Sequence, residues 1–501
     1  MDEDDAISID AREMAPGSAY KDMFNNREDL ARIGGLSVGI PGELKGLYEL
    51  YKLHGSKNLT WQQLIQPVID LTNNGWIVGE VFDKVLKLYT KTYAPGIFNK
   101  QDWSFVYNDE TGELLSEGDL MKRPSLSHTL SLVAQNGSDA IFYDSEGPIV
   151  KSIVEKIQEK GGILTKSDFS KYKIRVEKAL ITENFTHDNY KIFTSNGASS
   201  GAALAAGLNI MNSFNDLNGF DSTAEDFKPI ESHRLIETMK WMASVRSNFG
   251  DLNIYSKNQS EIEEHWKRYK KFLKPEWSFE INSKINDNYT LPSWKDYEPA
   301  YQANNPHGTA HFSIIDKDNN AVAMTTTINL IFGSSIHDPD TGIILNDQMD
   351  DFSIPTSPNA FGLQPSIYNY IEPFKRPLSS SSPTIIINSI SNKPDLIIGA
   401  AGGSKITTCV VQAIIRNYHY KMDLLNVIAA PRLHHQLLPE IVSIEEPLIK
   451  YELVDELIKK GHEIELVPHA TAMNGIRYNV QEQCWEAVSD YWRKRGEAYG
   501  Y

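Results

Sequence analysis

Hydrophobic residues in the first half of the chain recur every three to four positions, which is the period of an α-helix. Such repeats run over residues 44–51, 64–69 and 235–243, and the second of them stops at the Asn-Gly pair 74–75. One apolar face per turn predicts amphipathic helices, and Asn-Gly predicts the end of the second one. Residues 251–306 are polar, aromatic and rich in Asn and Pro, so we predict an exposed, loop-rich connection there.

In the second half of the chain the period changes to that of strands. Residues 310–328 read as two strands around the polar turn 316–320, and both strands are rich in residues that strands favour. Short apolar runs predict further buried strands at 384–387 and 396–398, followed by a helix through 410–415. Helices first and strands later predict layered α and β elements in one unit rather than two independent domains.

Composition and charge narrow the classes of function. With 501 residues, 41% of them hydrophobic, the chain can build a large core. A formal net charge of −17 argues against nucleic acid or an anionic membrane surface as the main partner, because like charges repel. Cys409 and Cys484 could form a disulfide, but two cysteines cannot staple a chain of this length, so stability must come from burial.

No targeting segment is visible from which a compartment could be assigned. The most apolar stretch, 396–415, is interrupted by Lys405 and several glycines, so it fails the ~20-residue criterion for a membrane span. The first residues, MDEDDAISIDAREM, are acidic and contain no apolar core, which is unlike a signal peptide.

Two Ser- or Gly-rich stretches resemble known functional motifs, a nucleophile elbow and a phosphate-binding loop. Gly197–Gly201 matches G-x-S-x-G between a predicted strand and a predicted helix, which is the context of a nucleophile elbow at Ser199. A helix that begins with small capping residues explains the same letters. Gly399–Lys405 resembles a phosphate-binding loop but has no Gly directly before its Lys.

Two residue pairs could be metal ligands, Asp350–Asp351 and His434–His435. Adjacent residues on an extended chain point to opposite faces, and neither pair has a known ligand spacing. Solvated loop side chains are therefore the favoured interpretation, and no metal site is predicted.

A third candidate is the segment 307–355, where hydroxyl, amide and acid groups concentrate at the ends of predicted strands. The first strand end carries Thr325, Thr326, Thr327 and Asn329, and the second group is Asn346, Gln348, Asp350 and Asp351. On these residues alone the segment predicts a polar pocket without an assigned chemistry.

Together with other motifs, this segment resembles the start of the small subunit of γ-glutamyltransferases, which are N-terminal-nucleophile hydrolases. The other matching motifs occur in the family's order along the whole chain, at 8–16, 34–42, 377–384, 399–403, 432–439 and 500–501. The resemblance implies an α/β fold, a four-layer αββα sandwich of the N-terminal-nucleophile hydrolase type, and no cofactor. It also implies that Gly197–Gly201 is a non-catalytic turn.

The resemblance implies that the chain cuts itself between Gly308 and Thr309. The products are a large, mostly helical subunit, 1–308, and a small subunit, 309–501, intertwined as one structural unit. Thr309 then becomes the nucleophile, and its freed α-amine serves as the base. A free α-amine has a pKa near ~7.7–8.0, so a useful fraction is neutral at working pH.

The resemblance also assigns the remaining site residues. Two further groups act on the reacting centre: Thr327 orients Thr309, and the backbone N–H groups of Gly402 and Gly403 form the oxyanion hole. The other residues bind the γ-glutamyl group, with Arg12, Ser379 and Ser380 on its α-carboxylate and Asp351, Asn329 and Gln348 on its α-ammonium.

Glutathione and other γ-glutamyl compounds are the expected donors, and water, amino acids or dipeptides the expected acceptors. Family members are membrane-anchored and extracellular, or vacuolar, and they carry a leader and a further segment ahead of the arginine motif, which here lies at the start of the chain. Two alternatives therefore stay open: an inactive, truncated homologue that keeps the fold and acts by binding, and a serine hydrolase that uses Ser199.

Overall fold

The computed structural model describes residues 6–93, 96–185, 190–214, 228–253, 257–300, 308–355, 365–446, 450–469 and 471–500. Helices predominate before Gly308 and strands after it. Within the described ranges, every helix is too short or too polar to traverse a lipid bilayer.

The α-helices are α1 (Glu43–His54), α2 (Trp61–Asn74), α3 (Glu80–Leu88), α4 (Pro124–Asn136), α5 (Ala140–Tyr143), α6 (Pro148–Glu159), α7 (Lys166–Lys171), α8 (Gly201–Asn212), α9 (Pro229–Ser247), α10 (Gln259–Phe272), α11 (Pro275–Lys284), α12 (Ile406–Tyr418), α13 (Leu424–Ala429) and α14 (Tyr451–Lys459).

The strands are β1 (Ile7–Asp10), β2 (Trp76–Ile77), β3 (Leu120–Met121), β4 (Arg175–Lys178), β5 (Leu180–Phe185), β6 (Tyr190–Thr194), β7 (Thr309–Ile315), β8 (Ala321–Thr327), β9 (His337–Asp338), β10 (Ile343–Ile344), β11 (Thr384–Asn388), β12 (Lys393–Ala401), β13 (Leu433–His434), β14 (Ile441–Glu445), β15 (Glu463–Val467), β16 (Ala472–Asn479) and β17 (Cys484–Ser489).

A six-stranded antiparallel sheet with the order β17-β16-β12-β11-β6-β5 lies at the centre of the molecule. Side chains of β12 alternate between its two faces, as the period of a strand requires. Leu396, Ile398 and Ala400 enter the main core together with α8, α9 and α12. The other face of β12 contacts the hairpin β7–β8.

The hairpin β7–β8 forms the second sheet layer and begins at Thr309, which pairs with Thr327. The layers approach closely at Gly399, where a Cβ atom would lie 2.2 Å from the ring of His311. A side chain at Gly399 would push the hairpin away, so the glycine sets the position of β7 on the sheet. On the opposite face of the hairpin, Phe312 and Ile314 are about half exposed.

The structure confirms most of the predicted elements and corrects one. The helices predicted in the first half are α1, α2 and α9, and the predicted hairpin is β7–β8. The expected loop at 251–306 contains two helices instead, α10 and α11, while 254–256 and 301–306 lie outside the described residues. Asn258 caps the first helix and Pro275 starts the second, and a few buried aromatic residues anchor both helices despite their polar composition.

The two cysteines do not pair. Cys409 is buried within α12, whereas Cys484 is exposed at the start of β17. The disulfide that the sequence allowed is therefore absent, and burial alone stabilises these elements.

Candidate active site

The junction between Gly308 and Thr309 fits tightly against the turn that follows β8. A Cβ atom on Gly308 would lie 2.2 Å from the backbone oxygen of Asn329. The φ angle of Gly308 is +153°. Both observations require a residue without a side chain before Thr309.

The hydroxyl of Thr327 lies between the two sides of this junction. It donates to the carbonyl oxygen of Gly308 over 2.8 Å and lies 3.5 Å from the hydroxyl of Thr309. It also accepts a bond of 2.8 Å from the backbone N–H of Asn329. The pairing of β7 with β8 brings Thr309 and Thr327 together. The role of Thr327 in orienting Thr309 stays a prediction.

Arg12 follows β1 and reaches the segment that contains Asp351. Its guanidinium is in direct contact with the Asp351 carboxylate and donates through Nε to the carbonyl oxygen of Pro377 over 3.1 Å. The backbone N–H of Arg12 donates to Asp10 at the end of β1 over 3.0 Å, which fixes the chain direction there. The structure thus joins two predicted site residues that are far apart in sequence.

Asp351, Gln348 and Asn329 supply hydrogen-bond acceptors at this place. Gln348 and Asp351 lie in one 3₁₀ turn rather than on an extended chain, and the Gln348 amide donates to Asp351 over 2.7 Å. The amide oxygens of Gln348 and Asn329 are buried and have no hydrogen-bond partner among the described residues. Buried polar atoms normally have a partner, so these two oxygens are available to a ligand.

Ser379 and Ser380 lie in the loop that follows Pro377. The hydroxyl of Ser380 is buried and, within the described ranges, has no partner. The hydroxyl of Ser379 accepts from the backbone N–H of Ser381 over 3.1 Å and keeps its own proton for donation. Since Pro377 binds Arg12, this loop and the guanidinium belong to one site.

The Gly197–Gly201 turn supports this serine loop. The hydroxyl of Ser199 is bonded only to Ser195 and Asn196 among the described contacts, so no histidine activates it. Ser200 donates from its hydroxyl to the carbonyl oxygen of Ser379 over 2.7 Å and from its N–H to Ser381 over 3.0 Å. The nucleophile-elbow pattern therefore holds the Ser379–Ser380 loop in place.

Gly402 and Gly403 follow β12, the strand that packs under β7. Their φ angles are +139° and +61°. This conformation turns the chain from the strand into α12. The oxyanion-hole role of these two residues stays a prediction.

Comparison with known proteins decides to which family this arrangement belongs. The sequence model of the family described as Gamma-glutamyltranspeptidase matches residues 1–501. The chain belongs to the gamma-glutamyltranspeptidase family. It is 38% identical over 498 residues to glutathione hydrolase proenzyme 2 of Schizosaccharomyces pombe, which covers 99% of this chain and 77% of that protein. The glutathione hydrolase proenzyme of Escherichia coli is 32% identical over 451 residues, which cover 88% of this chain and 72% of that protein.

A solved structure supports the fold of this family member. The cephalosporin acylase from Bacillus halodurans superposes with a TM-score of 0.75 at 19% sequence identity, covering 96% of this chain and 82% of that chain. The helical layer, the six-stranded sheet and the second sheet layer described above agree with this likeness. The predicted α/β sandwich is thereby confirmed.

Three further residues contact the predicted site and were not identified from the sequence. Glu13 lies 3.9 Å from the Arg12 guanidinium, and burial raises the pKa of its carboxyl to about 7. Asp347 accepts from Asn329, and Lys494 donates to the Thr309 carbonyl oxygen over 3.3 Å. Glu13 and Asp347 adjoin predicted residues and could have been found that way, whereas Lys494 has no such signal.

Among the described residues, one group could hold a metal, and it consists of the buried residues His233, Glu237 and His462. The two imidazoles hydrogen-bond to each other over 2.7 Å. Glu237 accepts from the hydroxyls of Thr290 and Tyr297, each over 2.6 Å, and pairs with Lys240 at 3.2 Å. These three residues are therefore explained as members of a buried hydrogen-bond network, without a metal.

The predicted metal candidates likewise have other partners. Asp350 pairs with Arg32 over 3.1 Å. His434 bonds Thr408 and Gln436, and His435 accepts from the backbone N–H of Leu437 over 2.9 Å. Both histidines are buried, so the expectation of solvated loop side chains was wrong for this pair.

Proposed function

We propose that the chain is a γ-glutamyltransferase and glutathione hydrolase that cuts its own Gly308–Thr309 bond and then uses Thr309 as the nucleophile. The observation that carries this proposal is the set of buried groups without partners around the Arg12–Asp351 contact. The acceptor oxygens of Asn329 and Gln348 and the hydroxyl of Ser380 are buried and have no partner among the described residues. A ligand with both an ammonium and a carboxylate, such as a γ-glutamyl group, satisfies both kinds of group.

The binding step replaces one charge pair by two. The α-carboxylate of the donor binds the Arg12 guanidinium and accepts hydrogen bonds from the hydroxyls of Ser379 and Ser380. The α-ammonium pairs with the Asp351 carboxylate and donates to the amide oxygens of Asn329 and Gln348. Since breaking a buried pair leaves an uncompensated charge, a zwitterion fits this site better than a ligand with a single charge.

Maturation starts from the same threonine. Thr309 Oγ1 forms a bond to the Gly308 carbonyl carbon, the bond from that carbon to the Thr309 nitrogen breaks, and the hydroxyl proton passes to the nitrogen. Water then cleaves the resulting ester, which restores the Thr309 hydroxyl and leaves a carboxylate on Gly308. The bond from Thr327 to the Gly308 oxygen polarises the carbonyl that is attacked. The products are a large subunit, 1–308, and a small subunit, 309–501.

In each catalytic cycle the Thr309 hydroxyl again attacks a carbonyl carbon, now that of the γ-glutamyl donor. The free α-amine of Thr309 accepts the proton of its own hydroxyl, which attacks the γ-carbonyl of glutathione or another γ-glutamyl compound. The backbone N–H groups of Gly402 and Gly403 stabilise the oxyanion. The leaving amine takes the proton, and the γ-glutamyl ester of Thr309 is then transferred to water, an amino acid or a dipeptide. An extracellular or vacuolar location is proposed on the family resemblance alone.

The experiment is a kinetic assay of purified protein with a chromogenic γ-glutamyl anilide and with glutathione. We expect release of the aniline in wild-type protein, acceleration by a dipeptide acceptor, and a γ-glutamyl adduct on the small subunit by mass spectrometry. Thr309→Ala should be inactive and Thr309→Ser partly active. A folded protein that hydrolyses neither substrate and carries no adduct would instead be a binding protein.

A further inference from the structure

Asp347 is a buried acid that contacts the turn after β8 at several points. One oxygen of its carboxyl accepts from the backbone N–H of Leu330 over 2.9 Å, and the other accepts from the Asn329 amide over 3.0 Å. Its backbone carbonyl oxygen accepts from the same amide over 3.2 Å. Its backbone N–H donates to the carbonyl oxygen of Ile328 over 3.3 Å. One residue therefore holds the whole turn 328–330.

This turn needs to be held. Asn329 has a φ angle of +73°, in the left-handed region that costs energy for a residue with a side chain. Its carbonyl oxygen lies against Gly308, where it leaves no room for a Cβ atom. Its N–H donates to the Thr327 hydroxyl, which in turn donates to the Gly308 carbonyl oxygen. A shift of the turn would therefore move the hydroxyl that contacts the bond to be cut.

We propose that Asp347 is a positioning residue for self-cleavage, because it fixes the turn 328–330 and thereby aims the Thr327 hydroxyl at the Gly308 carbonyl. This proposal rests on the self-cleavage proposed above. Asp347 touches neither Gly308 nor Thr309 in the described contacts, so it acts through the turn 328–330 and Thr327.

The two carboxyl oxygens of Asp347 accept from different donors of the turn. Burial raises the pKa of its carboxyl to about 8, although the Leu330 N–H lowers it. Asparagine offers one oxygen to the Leu330 N–H, but its NH2 group would face the Asn329 amide donor in place of the second oxygen. Asp347→Asn therefore keeps one of the two side-chain bonds, and Asp347→Ala removes both.

Asp338 provides a matched control in the same segment. It is as deeply buried as Asp347, and its carboxylate accepts from the hydroxyls of Ser152 and Thr341 over 2.8 and 2.6 Å. None of its described contacts involves the turn 328–330. Asp338→Ala thus removes a comparable buried acceptor without releasing the turn.

The test follows the first-order conversion of full-length chain to two fragments on a gel after cell-free synthesis is stopped. The loss of a buried acceptor leaves a donor unsatisfied, so we expect Asp347→Ala to slow conversion about tenfold to a hundredfold. Asp338→Ala should stay within about threefold of wild type, and Asp347→Asn, which keeps only the Leu330 bond, should convert at a rate between wild type and Asp347→Ala. Unfolding midpoints of the same variants in a Thr309→Ala background, which stays uncut, report on folding separately.

Conversion of Asp347→Ala at the wild-type rate would overturn the proposal. Equal slowing by Asp338→Ala, with an equal fall in the unfolding midpoint, would also overturn it, since general instability would then explain the effect. If Asp347→Ala in the uncut background does not fold, Asp347→Ser replaces it with the same expectation. Failure of the proposed function looks different, because wild-type chain itself would then stay at full length.

Discussion

The hydroxyl of Thr327 donates a 2.8 Å hydrogen bond to the carbonyl oxygen of Gly308, while the same hydroxyl lies 3.5 Å from that of Thr309. One side chain of β8 thus contacts both sides of the peptide bond that we propose is cut. A hydrogen bond to a carbonyl oxygen stabilises the negative charge that develops there when the carbon is attacked.

Removing this hydroxyl should slow maturation. Thr327→Val keeps the shape of the side chain but cannot donate, so we expect self-cleavage to slow by about tenfold or more. Thr327→Ser keeps the hydroxyl and should retain most of the rate. A time course of fragment appearance measures both. If valine and serine gave the same rate as threonine, the hydrogen bond to Gly308 would have no role in cleavage.

The contact between Arg12 and Asp351 predicts coupled effects on donor binding. Arg12→Ala should raise the KM for a γ-glutamyl anilide by about tenfold or more, because it removes the carboxylate partner and leaves Asp351 buried without its cation. Arg12→Lys should recover only part of the loss, since lysine lacks the planar fork of donors.

A double variant checks the coupling. We expect Arg12→Ala combined with Asp351→Ala to cost less than the product of the two single effects, because the groups contact each other. An unchanged KM in Arg12→Ala would show that Arg12 is not part of the donor site.

Replacing the two serines of the Gly197–Gly201 turn by alanine should affect activity differently. Ser199→Ala removes only local bonds to Ser195 and Asn196, so processing and turnover should stay as in wild type. Ser200→Ala removes the bond to the Ser379 carbonyl oxygen and should raise the donor KM a few-fold. Loss of turnover in correctly processed Ser199→Ala, together with full activity in Thr309→Ala, would restore the serine-hydrolase alternative.

Buried histidines should make the protein sensitive to acid. Burial lowers the pKa of His434 to about 4 and that of His311 to about 3. The pKa in the unfolded chain is ~6.5, so the folded state binds fewer protons below that pH. The free-energy cost of keeping these histidines neutral is therefore absent above about pH 6.5 and grows as the pH falls towards the lowered pKa values. At pH 5 each of these two histidines lowers the free energy of unfolding by about 2 kcal/mol, as an upper limit.

Urea unfolding of the uncut Thr309→Ala protein at about pH 7.5 and pH 5 measures this dependence. His434→Gln should show a smaller difference between the two pH values than its parent, because one buried titrating group is gone. An equal difference in both proteins would show that His434 does not contribute to the acid sensitivity.

The sequence was sufficient for the elements with a strong period and for the motifs that follow one another along the chain. The hairpin β7–β8 was found because its strands alternate and flank a polar turn. Helices α10 and α11 were missed because their apolar residues are few among many charges, and contact with the core is what stabilises them. Local pattern cannot report such tertiary contacts.

In the site, too, some residues could be assigned from the sequence and others only from the fold. Thr309, Thr327 and Arg12 were assigned by resemblance, and the structure brings Thr309 to Thr327 and Arg12 to Asp351. Its neighbour Gln348 could have drawn attention to Asp347, but the sequence does not show that Asp347 binds Asn329 and Leu330, because these bonds cross a loop. Likewise, only the fold brings Lys494 to the carbonyl oxygen of Thr309.

The most direct test of the central claim is the mass and N-terminal sequence of the purified protein. The account predicts two fragments, residues 1–308 and 309–501, and a small fragment that begins Thr-Ala-His-Phe. Thr309→Ala should remain a single chain under the same conditions. A wild-type protein that is folded yet stays at full length, or one whose second fragment begins elsewhere, would contradict the account.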